Sequence, residues 1–167
     1  MLLMPTDRFP RQQRGVGMIE VLVALLVLSI GVLGYAGLQL RALNSTDQAQ
    51  FRTQAVALGT EMMERMRANP NGDYANAAIW PAGPLSNAVP ANWNACVGVV
   101  CNPTGIRDWD VTQMSWHAWN NMPQGRMQVA PCPAPSPAVC VTVAWDQADP
   151  AACNPAADTC VVMEFMP

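Results

Sequence analysis

The sequence predicts an α+β fold: one long N-terminal α-helix, hydrophobic along its first half, packed on a small antiparallel β-sheet head with disulfide-stapled loops. Three observations predict it. Residues 21–38 carry no charge, and an amphipathic pattern follows them as far as Pro70. Two late segments alternate with period two between proline-rich loops. All six cysteines lie in the C-terminal half.

The helix comes first. Residues 1–15 are short and polar-basic, with Arg8, Arg11 and Arg14 outweighing Asp7. Val16-Gly17-Met18-Ile19-Glu20 follows, and then the uncharged run 21–38. As helix that run rises about 27 Å, or roughly 34 Å with Val16–Ile19 included, enough to cross a bilayer core. Arginines ahead of the span keep the N-terminus in the cytoplasm and send the rest of the chain across the membrane, where cysteines oxidise. The run is too long for an ordinary secretory signal and has no small-residue cleavage exit. A plain single-pass anchor is the simple alternative, but Glu20 sits inside the apolar segment, where an acid is costly and asks for a partner.

From Gln39 onward Leu40, Leu43, Phe51, Ala55, Leu58, Met62 and Met66 recur at three- and four-residue steps, which predicts the stripe that meets the head. Pro70 disfavours helix at Asn69, so one helix over 16–68, about 80 Å if continuous, is expected. Gly31, Gly34 and Gly37 stand three apart. They pack closely against neighbouring helices, weaken the helix so that it stretches on assembly, or are simply tolerated small residues.

In the head, 69–105 is rich in Pro, Asn, Gly and Ala, with Trp80 and Trp93 expected to anchor it on the long helix. A second helix is predicted over 105–120, capped by Thr104, with Ile106, Trp109, Trp116 and Trp119 on one side. Strands are predicted over 126–130, 139–145 and 159–165. Six cysteines allow fifteen pairings. Sequence neighbours, Cys96–Cys101, Cys132–Cys140 and Cys153–Cys160, are the first expectation; zinc competes weakly because no paired C-x2-C knuckles are present. Asp146, Asp149 and Asp158 are either a calcium loop or ordinary surface acids near turns. No cofactor and no resident metal are expected.

Composition narrows the function. The 167 residues are 51% hydrophobic and 13% charged, with net charge −3 and nine arginines but no lysine. A nucleic-acid partner, which needs a basic face, is not expected. With one histidine, no C-x2-C and no G-x-S-x-G, a membrane-tethered periplasmic enzyme or thiol oxidoreductase is a distant alternative.

Arg14-Gly15-Val16-Gly17-Met18-Ile19-Glu20 and the apolar run after it resemble the class III signal of type IV pilins. The stretch from Glu20 to Gln39 is similar to PilV-type minor pilins, as are Trp119…Met122-Pro123-Gln124-Gly125-Arg126 and Val141-Thr142-Val143-Ala144-Trp145-Asp146. The resemblance implies the type IV pilin fold. It implies a leader over 1–15 removed by prepilin peptidase between Gly15 and Val16, and N-methylation of Val16. A membrane or filament-core helix over 16–40 follows, then an amphipathic half over 41–69 and a periplasmic head over 70–167. Glu20 matches the family's glutamate, which neutralises the new amine of a neighbouring subunit in the filament. Val16 stands where the family has Phe, and Gly17 where it has a small hydroxyl residue; a cut after Gly17 is the competing site. The implied role is a minor pilin that primes a type IV pilus at or near its tip. Its implied partners are other minor pilins, the major pilin, prepilin peptidase, the inner-membrane assembly platform, a tip adhesin, and the inner membrane before assembly. A minor pseudopilin of a type II secretion system shares the same N-terminal physics and is the alternative.

Overall fold

The computed structural model describes residues 15, 17–83, 85–146, 149–156 and 159–166. The chain divides into two compact units, Met1–Asn44 and Ser45–Pro167. Helix α1, Met18–Ala68, belongs in sequence to both. Asn69 ends it, its N–H closing onto the carbonyls of Arg65 and Met66 ahead of Pro70.

Within the second unit α1 buries Ala55, Leu58, Gly59, Met62 and Met66. That is the three- and four-residue spacing of one helical face. The predicted stripe is too long at its start: Leu40 and Leu43 are 65% and 60% exposed. They continue the apolar first half of the helix, and the head's core takes up the stripe only from the partly buried Phe51.

The three strands, β1 (Arg126–Pro131), β2 (Val139–Ala144) and β3 (Cys160–Phe165), form one antiparallel sheet in the order β1-β2-β3. The register sets Val129 opposite Val141 and Val141 opposite Met163. Val129, Val141 and Val143 are fully buried in a core shared with Met62 and Met66 of α1, Met114 and Met127. Methionine's flexible thioether fills the irregular space between helix and sheet.

Both faces of β2 are covered: Cys140, Thr142 and Ala144 are buried as well as the valines between them. Cys132 and Ala138 cluster with Cys140, with Val162 packed beside them, and a 3₁₀ turn at Pro150–Ala152 lies against β1 and β2. Disulfides join Cys132 to Cys140, Cys153 to Cys160 and Cys96 to Cys101. The first two lie on this face, so covalent links and short loops do here what a second layer does in a larger domain.

The second helix, α2, spans Pro103–Asn121. Its cap is Asn102, not Thr104: the Asn102 side chain accepts from the Gly105 N–H at 2.7 Å, and Pro103 takes the first helical position, which needs no N–H. The side of α2 that meets the core carries Val111, Met114 and Ala118, with Asp110, Gln113 and Ser115 also buried. Trp109, Trp116 and Trp119 lie half-buried beneath the preceding loop and donate their indole N–H groups to Trp93 O, Ala88 O and Asn87 Oδ1. Trp93 rests edge-on against Trp116 of α2, with ring centres 4.9 Å apart, instead of serving as an anchor on α1. Trp80 is buried in the core as expected and donates to Tyr74 O.

Between α2 and β1 the chain reverses over Met122–Arg126, with Gln124 at φ 51 and the Gly125 N–H bonded to Met122 O. A Cβ on Gly125 would stand 1.9 Å from the carbonyl oxygen of Ala118. Gly125→Ala must therefore move main chain, at a cost of about 2–3 kcal/mol. Thermal melting of the detergent-solubilised chain should show a midpoint lower by roughly 5–10 °C; an unchanged midpoint would mean the turn is looser than this geometry.

Candidate functional site

The candidate site in the first unit is the start of α1. Gly17 O accepts the N–H groups of Glu20 at 2.9 Å and Val21 at 3.3 Å, which seats Glu20 in the first turn. There its carboxylate meets the positive end of the helix dipole. Among the described residues it has no ion-pair partner. Val16 and residues 1–14 lie outside the described residues, so the predicted cut and the amine it would free are not placed; Gly15 is exposed.

Beyond Glu20 the surface is apolar. Met18, Ile19, Leu22, Leu26, Leu33 and Leu38 are each at least 60% exposed, and α1 contains a stretch long and apolar enough to cross a membrane. Side chains at Gly31, Gly34 and Gly37 would meet nothing within 4 Å. No close contact within this chain requires these glycines. Ser29 Oγ and Gln39 Nε2 are occupied inside the helix, bonded to Leu25 O and Tyr35 OH.

The second unit holds a polar network that the sequence did not disclose. Arg65 of α1 reaches Asp110 Oδ1 of α2 at 2.7 Å, Gln113 Oε1 at 3.0 Å and Glu61 Oε1 at 2.7 Å. Tyr74 donates its hydroxyl to Asp110 Oδ2 at 2.6 Å and accepts from Asn69 Nδ2, which also reaches Pro103 O. Burial, followed by the bond to Asp110, holds the Tyr74 phenol well above its usual range. Arg65 is raised too: burial works against its charge, but the bonds to Glu61 and Asp110 outweigh it. Both groups keep their protons at any physiological pH. The network is a strut joining α1, α2 and the 69–75 turn.

A second strut joins helix and sheet. Gln48 accepts from Trp145 Nε1 and donates to Asp146, while Thr159 and Trp145 exchange two bonds. Asp146 is thus held by Gln48, and Asp149 caps the 3₁₀ turn through the Ala151 N–H. Asp158, the third residue of the calcium alternative, lies outside the described residues. One group of metal-type donors, Cys132, Cys140 and Glu164, comes together, but both sulfurs are committed to their disulfide. His117 stands edge-on to Trp93 and Trp116.

Helix α1 thus combines one acid in its first turn with an apolar stretch long enough to cross a membrane, and the second unit is a disulfide-stapled α+β head. A family model described as the prokaryotic N-terminal methylation motif matches residues 10–36, and one described as type IV pilin Tt1218 matches residues 37–112. The chain belongs to the type IV pilin family. It is a pilin subunit, a structural protein rather than an enzyme, and its assembly partners are other pilins and the pilus machinery. No curated protein and no solved structure matches it.

Proposed function

We propose that this pilin is a minor subunit of PilV type that helps prime a type IV pilus and sits at or near its tip. The observation that carries the reading is the row of exposed apolar side chains from Met18 to Leu43, interrupted early by Glu20 and joined to a methylation motif. Such a surface is stable in lipid and, after extraction, only among other helices like it.

In this reading prepilin peptidase removes residues 1–15, and the amine of Val16 is freed and methylated. Residues 16–40 lie in the inner membrane and later in the filament core, 41–69 carry the amphipathic half of the helix, and 70–167 form the periplasmic head. Glu20 neutralises the Val16 amine of an adjoining subunit, a pair that fixes register because either charge alone is costly away from water. Gly31, Gly34 and Gly37 serve contacts or flexibility that arise only on assembly. The irregular head and the PilV-like segments around Met122–Arg126 and Val141–Asp146 support a specialised subunit over a repetitive one. Docking on other minor pilins, the major pilin, the assembly platform and a tip adhesin completes the role.

Quantitative mass spectrometry of sheared fibres, with and without the gene, tests it. The chain should be present far below the major subunit, and its deletion should lower piliation. A chain that is itself the main fibre component contradicts the minor role, and a deletion that blocks secretion while sparing pili points to a pseudopilin.

A further inference from the structure

Large apolar side chains exposed in the second unit are, among the described residues, Val56, Val89, Val97, Val99, Val100 and Met166. Single exposed hydrophobes need no explanation, but half of these lie in one closed ring. Cys96-Val97-Gly98-Val99-Val100-Cys101 is sealed by its own disulfide, with Cα atoms 5.7 Å apart. Val97 is 58% exposed, Val99 61% and Val100 fully so. No side chain of the ring is charged or hydroxylated, although surface loops are normally polar.

The ring is also rigidly mounted. Gly98 takes the left-handed conformation, φ +72, that closes so short a loop. On one side the Val97 N–H bonds Asn94 O, and Trp109 of α2 holds Trp93 O at 2.6 Å. On the other side Cys101 runs directly into Asn102, the cap of α2. A preformed apolar knob of this kind loses little conformational freedom on contact.

We propose that the Cys96–Cys101 ring is a docking knob for the head of a neighbouring subunit in the same filament. The choice of partner follows from size and rests on the pilin assignment. Three valines fall far short of the roughly 1,200 Å² of buried surface that a free-standing complex needs. They suffice only between bodies already held side by side, where tethering raises the effective concentration to the millimolar range. A pilin held in a filament by its helix meets that condition; a soluble partner does not. A short contact that few other surfaces satisfy suits selection of one neighbour among several subunits.

The experiment uses the full chain in piliated cells. The paired substitution Val99→Asn with Val100→Asn touches no core residue, so leader removal and head melting should match wild type while the fibre content of the chain falls ten-fold or more. A photo-crosslinking amino acid at Val100 should form an adduct with another pilin in assembled fibres. Wild-type fibre content in the double variant overturns the knob alone, as does an adduct found only with lipid or with a protein outside the filament. Absence of the unmodified chain from fibres overturns the knob together with the assignment beneath it.

Discussion

Glu20→Ala is expected to leave leader removal intact and to reduce the amount of this chain in sheared fibres by ten-fold or more. The reduction follows from what the residue has around it. Glu20 is followed by the uncharged run 21–38, and among the described residues nothing pairs with it. In the proposed filament its carboxylate and a neighbour's Val16 amine leave water together. Removing one member of such a pair strands the other, at a cost of about 3–5 kcal/mol, which outweighs ten-fold comfortably. Glu20→Gln, which keeps the shape without the charge, should be nearly as poor. Fibre content at the wild-type level in either variant, measured by quantitative mass spectrometry, would remove Glu20 from docking and leave it an interfacial acid.

Asp110→Ala should lower the melting midpoint of the head by on the order of 10 °C, corresponding to about 3 kcal/mol. Asp110 is 3% exposed and takes both the Arg65 guanidinium and the Tyr74 hydroxyl. Truncation leaves a buried phenol without its acceptor and an arginine with only Glu61 and Gln113. Asp110→Asn, which keeps an acceptor for Tyr74, should lose less. Near-UV circular dichroism of the detergent-solubilised chain reads the transition through the tryptophans. A midpoint within a degree or two of wild type would show that the strut contributes little.

The large elements were legible because their signals are local. An uncharged run, a periodic continuation and a proline place α1 within two residues at its start and end it at Ala68. Valines alternating with smaller residues place β2, and Val161, Met163 and Phe165 at every second position place β3. The match of the N-terminal segment to the methylation motif is equally local.

What was misread or left open depends on distance or on choosing between two equal patterns. Asn102 and Thr104 are both capping residues, and Pro103 at the first helical position decides for Asn102. Helix α2 carries two apolar stripes, one of tryptophans and one through Val111, Met114 and Ala118, and periodicity does not say which meets the core. The indole N–H decides, because a loop rich in carbonyls satisfies it and an apolar core does not. The Arg65–Asp110–Tyr74 strut joins residues 36 and 45 positions apart, and nothing local announces it.

Whether this is a processed pilin built around its N-terminal helix is read from the intact mass of the chain in cells with and without prepilin peptidase. With the peptidase active the chain should begin at Val16 and carry one added methyl; without it, residues 1–15 should be retained. A chain that keeps its first fifteen residues beside an active peptidase would contradict such processing.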